Sequence, residues 1–193
     1  MSGERATKML ILSSARTLFS EKGYDETLVE EICALAGVAK GTFFYHFESK
    51  QYIVRYIVAM QLREYSQKLT QQLDTMKDAI SKIEYFVMTI LEQNGMEDEA
   101  QTYFKHGSPA WYETVHSEER MKTLYPLMED IVCEGVRDGL FKVKHPAVCA
   151  AVAFMGIDAF LRRDERSGAD GVRSGVREIT AKTLGLRETA FAI

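Results

Sequence analysis

Proline is scarce in this 193-residue chain, with three in all, and cysteine is equally rare. So few prolines leave long helices uninterrupted. An odd number of widely spaced cysteines (Cys33, Cys133 and Cys149) excludes a complete disulfide framework and favours a reducing compartment. No run approaches the roughly 18 to 20 apolar residues that a membrane span needs, and the opening MSGERATKML lacks the apolar segment of a secretory signal. A cytoplasmic protein without membrane association is therefore expected. Positive charge is not in surplus either: 24 Lys and Arg stand against 28 Asp and Glu, for a formal net charge of −4. That balance excludes a general nucleic-acid coat but permits a local basic stripe. Strand-like alternation, internal repeats and low-complexity tracts are absent, while a hydrophobic fraction of 46% supplies one substantial core and one or two domains.

What is present is helical periodicity. Ile11, Leu12, Ala15, Leu18 and Phe19 share a helix face that should end at Gly23. Thr27 and Glu30 have the spacing of a capping box, which predicts a short second helix carrying Val29, Ile32, Cys33 and Ala36 as far as Gly37. Phe43 and Phe47, four apart, predict a third helix from Ala39 or Lys40. Two short helices joined by a Gly-containing turn make a helix-turn-helix. A long helix should follow from Glu48 or Ser49 to about Leu73, then a fifth from Ile80 to about Asn94. The acidic run at 97–100 suits the start of a further helix carrying Tyr103 and Phe104. After a short aromatic segment, AWYETV, a helix from Ser117 to Gly139 is expected, bent at Pro126. Residues 147–161 are apolar nearly all round and need cover on more than one side, and Val172, Val176, Ile179 and Leu184 mark a last helix. The fold class expected is all-α.

The stretch GTFFYHFESK, at 41–50, combines core and surface. Phe43 and Phe47 belong to the inner face, which leaves Lys40, Gly41, Thr42, Tyr45 and His46 towards the start or outer side of the third helix and Lys50 just beyond it. In a helix-turn-helix the second helix enters the major groove and neighbouring groups hold phosphates. Lys40 offers a donor for a guanine edge or a phosphate, the hydroxyls of Thr42 and Tyr45 can donate to phosphate oxygen, and Gly41 lets backbone approach closely. Residues 1–50 are not basic by count, so the electrostatic argument needs Arg5, Lys8, Lys40, Lys50 and Arg55 to share a face.

The segment TLVEEICALAGVAKGTFFYHFESK, at 27–50, resembles the tetracycline-repressor (TetR) family of bacterial transcription regulators. The resemblance covers roughly the first 55 residues. It implies base contact around Lys40, Gly41 and Tyr45, and phosphate contact by Thr27, Thr42, His46 and Lys50. Two positions depart from the family pattern: Ala39 stands where Ser is common, losing a cap typically worth about 1 kcal/mol, and Phe44 stands where Tyr is common. The resemblance also implies an N-terminal helix-turn-helix domain (1–48) joined by a long helix to a helical effector-binding and dimerisation domain (49–193). The function implied is that of a sequence-specific regulator, a repressor released from a palindromic operator by a small hydrophobic or aromatic effector. The competing reading is a helical small-molecule binding protein with weak or lost DNA binding.

A dimer is expected because one three-helix reader makes too few contacts for high specificity, whereas a two-fold dimer reads paired half-sites. The helices at 147–161 and about 171–184 are the candidate interface. For the effector, Tyr85, Met88, Tyr103, Phe104, Trp111 and Tyr112 concentrate large amphipathic side chains, with Trp111 the preferred pocket or gate residue. No catalytic residue, metal site or cofactor is expected. His145 and Cys149 supply only two potential ligands, and no nucleophile motif or phosphate loop stands out.

Overall fold

A computed structural model of the chain describes residues 3–93, 98–161 and 169–186. Among these, every regular element is helical: α1 (Gly3–Lys22), α2 (Val29–Ala36), α3 (Lys40–His46), α4 (Lys50–Leu73), α5 (Ala79–Gln93), a single 3-10 turn (Gln101–Tyr103), α6 (Ala110–Thr123), α7 (Tyr125–Arg137), α8 (Pro146–Leu161) and α9 (Ala169–Thr183). No helix among the described residues is long and apolar enough to cross a membrane. The chain divides into two compact units, Met1–Gln61 with Glu97–His116, and Leu62–Met96 with Ser117–Ile193.

In the first unit, α1, α2 and α3 close around Ile11, Leu12, Ala15, Phe19, Ile32, Phe43 and Phe47, all essentially inaccessible to water. Phe43 and Phe47 thus anchor α3 from beneath, as their spacing predicts. Gly37 ends α2 in the left-handed region (φ 65°), where a side chain would be strained, and the Val38 N–H returns to the Cys33 carbonyl at 3.0 Å. The start of α2 differs from the expected box by one residue. Leu28 is the cap, and the Glu31 carboxylate accepts the Leu28 N–H at 2.8 Å. Thr27 instead donates its hydroxyl to the Gly23 carbonyl at 2.7 Å and is fully buried. The carbonyl left open at the end of α1 captures the hydroxyl before α2 begins.

The segment 98–116 completes this unit with rings. Tyr103 packs on Phe19, while Tyr24, Phe104 and Trp111 meet one another in a triangle, with centroids 5.3 to 5.6 Å apart throughout. The Tyr24 N–H donates to the Tyr103 carbonyl at 2.8 Å. The acidic run does not open a helix here; Glu97 lies outside the described residues. Asp98 Oδ1 accepts the Ala100 N–H at 2.9 Å, and its other oxygen is taken by the Tyr112 hydroxyl and His116 Nε2, each at 2.6 Å. Glu99 forms a bidentate pair with Arg16 at 2.6 and 2.7 Å and accepts from the Tyr103 hydroxyl. Side chains distant in sequence thus claim both carboxylates, and one 3-10 turn is all that forms. The aromatic AWYETV is itself helical, because α6 starts directly behind Pro109 and the Tyr112 N–H closes onto the Pro109 carbonyl.

In the second unit α7 packs on α5 and α8, and α9 on α8 and α5. The single bent helix expected over 117–139 is two: α6 ends at Thr123 and α7 begins at Tyr125. Pro126 falls in the first turn of α7, where its missing N–H leaves no bond unmade. Gly135 allows close approach, since a Cβ there would lie 2.3 Å from the Phe141 ring. Buried Asp158 on α8 accepts from Ser117 Oγ at 2.6 Å and Arg120 Nε at 2.7 Å. Lys82 reaches both oxygens of Glu134 at 2.7 Å, and Arg177 pairs with Glu84 at 2.9 Å. α8 is covered on one side only. Ala150, Ala153, Phe154 and Ile157 are buried, whereas Val148, Val152 and Met155 are 62, 55 and 57% exposed. On α9, Val176 is buried and Ile179 is exposed, and Leu184 just beyond its end is buried; the side chain of Val172 lies outside those described.

Candidate nucleic-acid interface

The outer side of α3 carries most of the predicted contact residues. Tyr45 is 73% exposed, with its hydroxyl 3.2 Å from Glu4 Oε1, and its ring meets that of His46 edge-on. Gly41 is exposed, and a Cβ added to it would meet nothing within 4 Å, so the backbone there is open to close approach. Thr42 and His46 are partly exposed, and Phe44 presents an apolar ring. Ala39 caps α3 with backbone alone, as expected from the missing hydroxyl.

Lys40 and Lys8 are both engaged. Lys40 Nζ lies 2.6 Å from Glu30 Oε1, with both side chains exposed. The hydrogen bond from Lys40 holds the Glu30 carboxyl below its ordinary range, and the same bond raises the Lys40 ammonium. Lys8 sits over the rings of Tyr56 (4.2 Å) and Phe47 (5.3 Å).

Two predicted residues are turned to structural work. The Thr27 side chain presents no surface to a phosphate, its hydroxyl being spent on Gly23. Lys50 donates to the carbonyls of Tyr24 (2.7 Å), Asp25 (3.2 Å) and Thr27 (3.0 Å) and lies 4.3 Å from the Tyr24 ring centroid. Burial lowers its pKa, opposed by the charges of Asp25 and Glu26. A lysine at the start of a helix is poorly placed for the helix dipole, and the turn between α1 and α2 supplies the acceptors that the helix start lacks. Glu30 is the residue that sequence reasoning missed at this face. Its signal was masked by the assignment of its carboxylate to a cap that Glu31 makes.

The predicted effector residues fall into separate groups. Tyr103, Phe104, Trp111 and Tyr112 join the aromatic cluster of the first unit, and Tyr103, Phe104 and Tyr112 are buried there. Tyr85 and Met88 lie on α5 in the second unit, both partly exposed.

Comparison with known proteins agrees with this architecture. The HTH-type transcriptional repressor KstR2 of Mycolicibacterium smegmatis is 28% identical over 68% of this chain and 66% of its own. The Tn10 TetC protein of Escherichia coli is 31% identical over 47% of each chain. The chain thus spans two thirds or less of these curated relatives. Among solved structures, RolR in complex with resorcinol superposes with a TM-score of 0.71 at 16% identity, covering 98% of this chain and 94% of that one. Residues 11–57, which contain α2, α3 and the two phenyl anchors, match the model of bacterial regulatory proteins of the tetR family.

Proposed function

We propose that the chain is a homodimeric, sequence-specific DNA-binding transcriptional regulator, a repressor that leaves its operator when a small hydrophobic or aromatic effector binds. The observation that carries this reading is the division of α3 into a sealed face, Phe43 with Phe47, and an open one bearing Lys40, Gly41 and Tyr45. An anchored helix with exposed donors fits the major groove, with partly exposed Thr42 and His46 beside it as donors for the flanking phosphates. Residues 1–48 form the reading domain, and 49–193 hold the effector and the dimer contact. The exposed row Val148, Val152 and Met155 on α8, with Ile179 on α9, is what a second copy covers. Resorcinol in RolR supports an aromatic effector. The protein acts in the cytoplasm and performs no catalysis.

The experiment is a gel shift of the full-length chain against DNA upstream of its own coding region, over a series of salt concentrations. Sequence-specific retention that weakens steeply with salt is expected. Absence of binding at low salt without effector would leave a helical small-molecule binding protein as the function.

A further inference from the structure

Capping of α2 falls to Glu31, which also pairs with Lys22. Glu30, one residue earlier, is released to the surface, where its Oε1 lies 2.6 Å from Lys40 Nζ. The two side chains are 61 and 57% exposed, so the pair adds little to stability. It is also unobstructed: Ala39 brings only a methyl group beside Lys40, and Gly41 no side chain.

Along its major-groove edge a G·C pair shows two adjacent acceptors, guanine N7 and O6, and then the amino donor of cytosine N4. In an A·T pair the adenine amino group separates the two acceptors. An ammonium with three rotatable donors suits adjacent acceptors, and a carboxylate beside it suits the amino group. The O6···H–N4 bond within the pair spans about 2.9 Å. The Lys40–Glu30 separation of 2.6 Å is a close match, so donor and acceptor can meet the two bases together.

We propose that Lys40 and Glu30 together read one G·C pair in each half-site, Lys40 on guanine and Glu30 on cytosine. This deepens the DNA-binding reading and rests on it. A purely phosphate-neutralising Lys40 leaves Glu30 without a role, because a carboxylate held against a phosphate is repelled.

The test is selection of duplexes from a randomised pool by the full-length protein, followed by fluorescence anisotropy on the selected duplex and its single-position variants. Wild type, Glu30→Ala, Glu30→Gln and Lys40→Ala are compared, with thermal melts to show that each is folded. Wild type should select G·C at one position of each half-site. Glu30→Ala should reduce that preference about tenfold with the other positions unchanged, and Lys40→Ala should lose the same position. Glu30→Gln, which keeps an acceptor oxygen, should retain part of it. Uniformly tighter binding by Glu30→Ala would make the carboxylate a mask over Lys40 and overturn the assignment, as would unaltered base preference. A wild-type protein that selects no sequence removes the DNA-binding reading as well, so the two failures are told apart by which protein fails.

Discussion

The Lys50 ammonium lies 2.7 Å from the Tyr24 carbonyl oxygen and 4.3 Å from the centroid of the same residue's ring. One side chain at the start of α4 thereby ties down the turn between α1 and α2. Removing it leaves carbonyls in a partly buried turn without their charged donor. Lys50→Ala should lower stability by about 1–3 kcal/mol, read from urea denaturation, and should weaken DNA binding equally across operator variants. A variant with wild-type stability would mean that the turn holds without the ammonium.

Acid should unfasten the segment 98–116. Burial, the largest single influence on Asp98, pushes its pKa up, but hydrogen bonds from His116 and Tyr112 outweigh it and hold the carboxyl below its ordinary value. The stabilisation from this depressed pKa is present above the unfolded carboxylate pKa of about 3.9 and is lost as pH falls through the folded value. Thermal melts from pH 7 down to pH 3 should show a steeper decline for wild type than for Asp98→Asn. Parallel profiles would remove Asp98 as the origin of the acid response.

Gly135 and Phe141 should behave as a coupled pair. A methyl group at Gly135 would collide with the Phe141 ring, so Gly135→Ala should cost about 1–3 kcal/mol. Adding Phe141→Leu to that background should recover part of the loss, although Phe141→Leu alone should destabilise. Strictly additive effects in the four-member cycle would contradict the contact.

Charge on the open side of α8 should separate subunits without unfolding them. Met155→Glu and Val152→Glu change side chains that are more than half exposed in the single chain. Sedimentation should therefore show a dimer for wild type and a monomer for each variant, with unchanged far-ultraviolet circular dichroism. A dimer that survives both substitutions would place the interface elsewhere.

Elements built from near neighbours were legible in the sequence. The apolar rhythm of α1, the Gly37 stop and the four-residue step from Phe43 to Phe47 each depend on contacts within a turn or two. What escaped was decided over distance or by close competition. Glu99 finds Arg16 across 83 positions, and nothing local marks that attraction, so a run of acids looked like a helix start. Thr27 had two acceptable uses for one hydroxyl, and the open Gly23 carbonyl won, which moved the cap to Leu28 and freed Glu30. The break at Leu124 was hidden because Pro126 fits the first turn of a helix as well as it fits a kink. The charge of Lys50 at the start of α4 points to a phosphate, whereas its long stem lets it reach the turn between α1 and α2.

Because Phe19 and Tyr24 are roofed by Tyr103, Phe104 and Trp111, the amino-terminal reader cannot be excised with a single cut. A truncated gene product stopping inside α4 would present bare aromatic rings to solvent and tend to precipitate. A workable miniature would instead graft residues 98–116 back through a short tether, restoring the missing lid along with the Arg16 clasp.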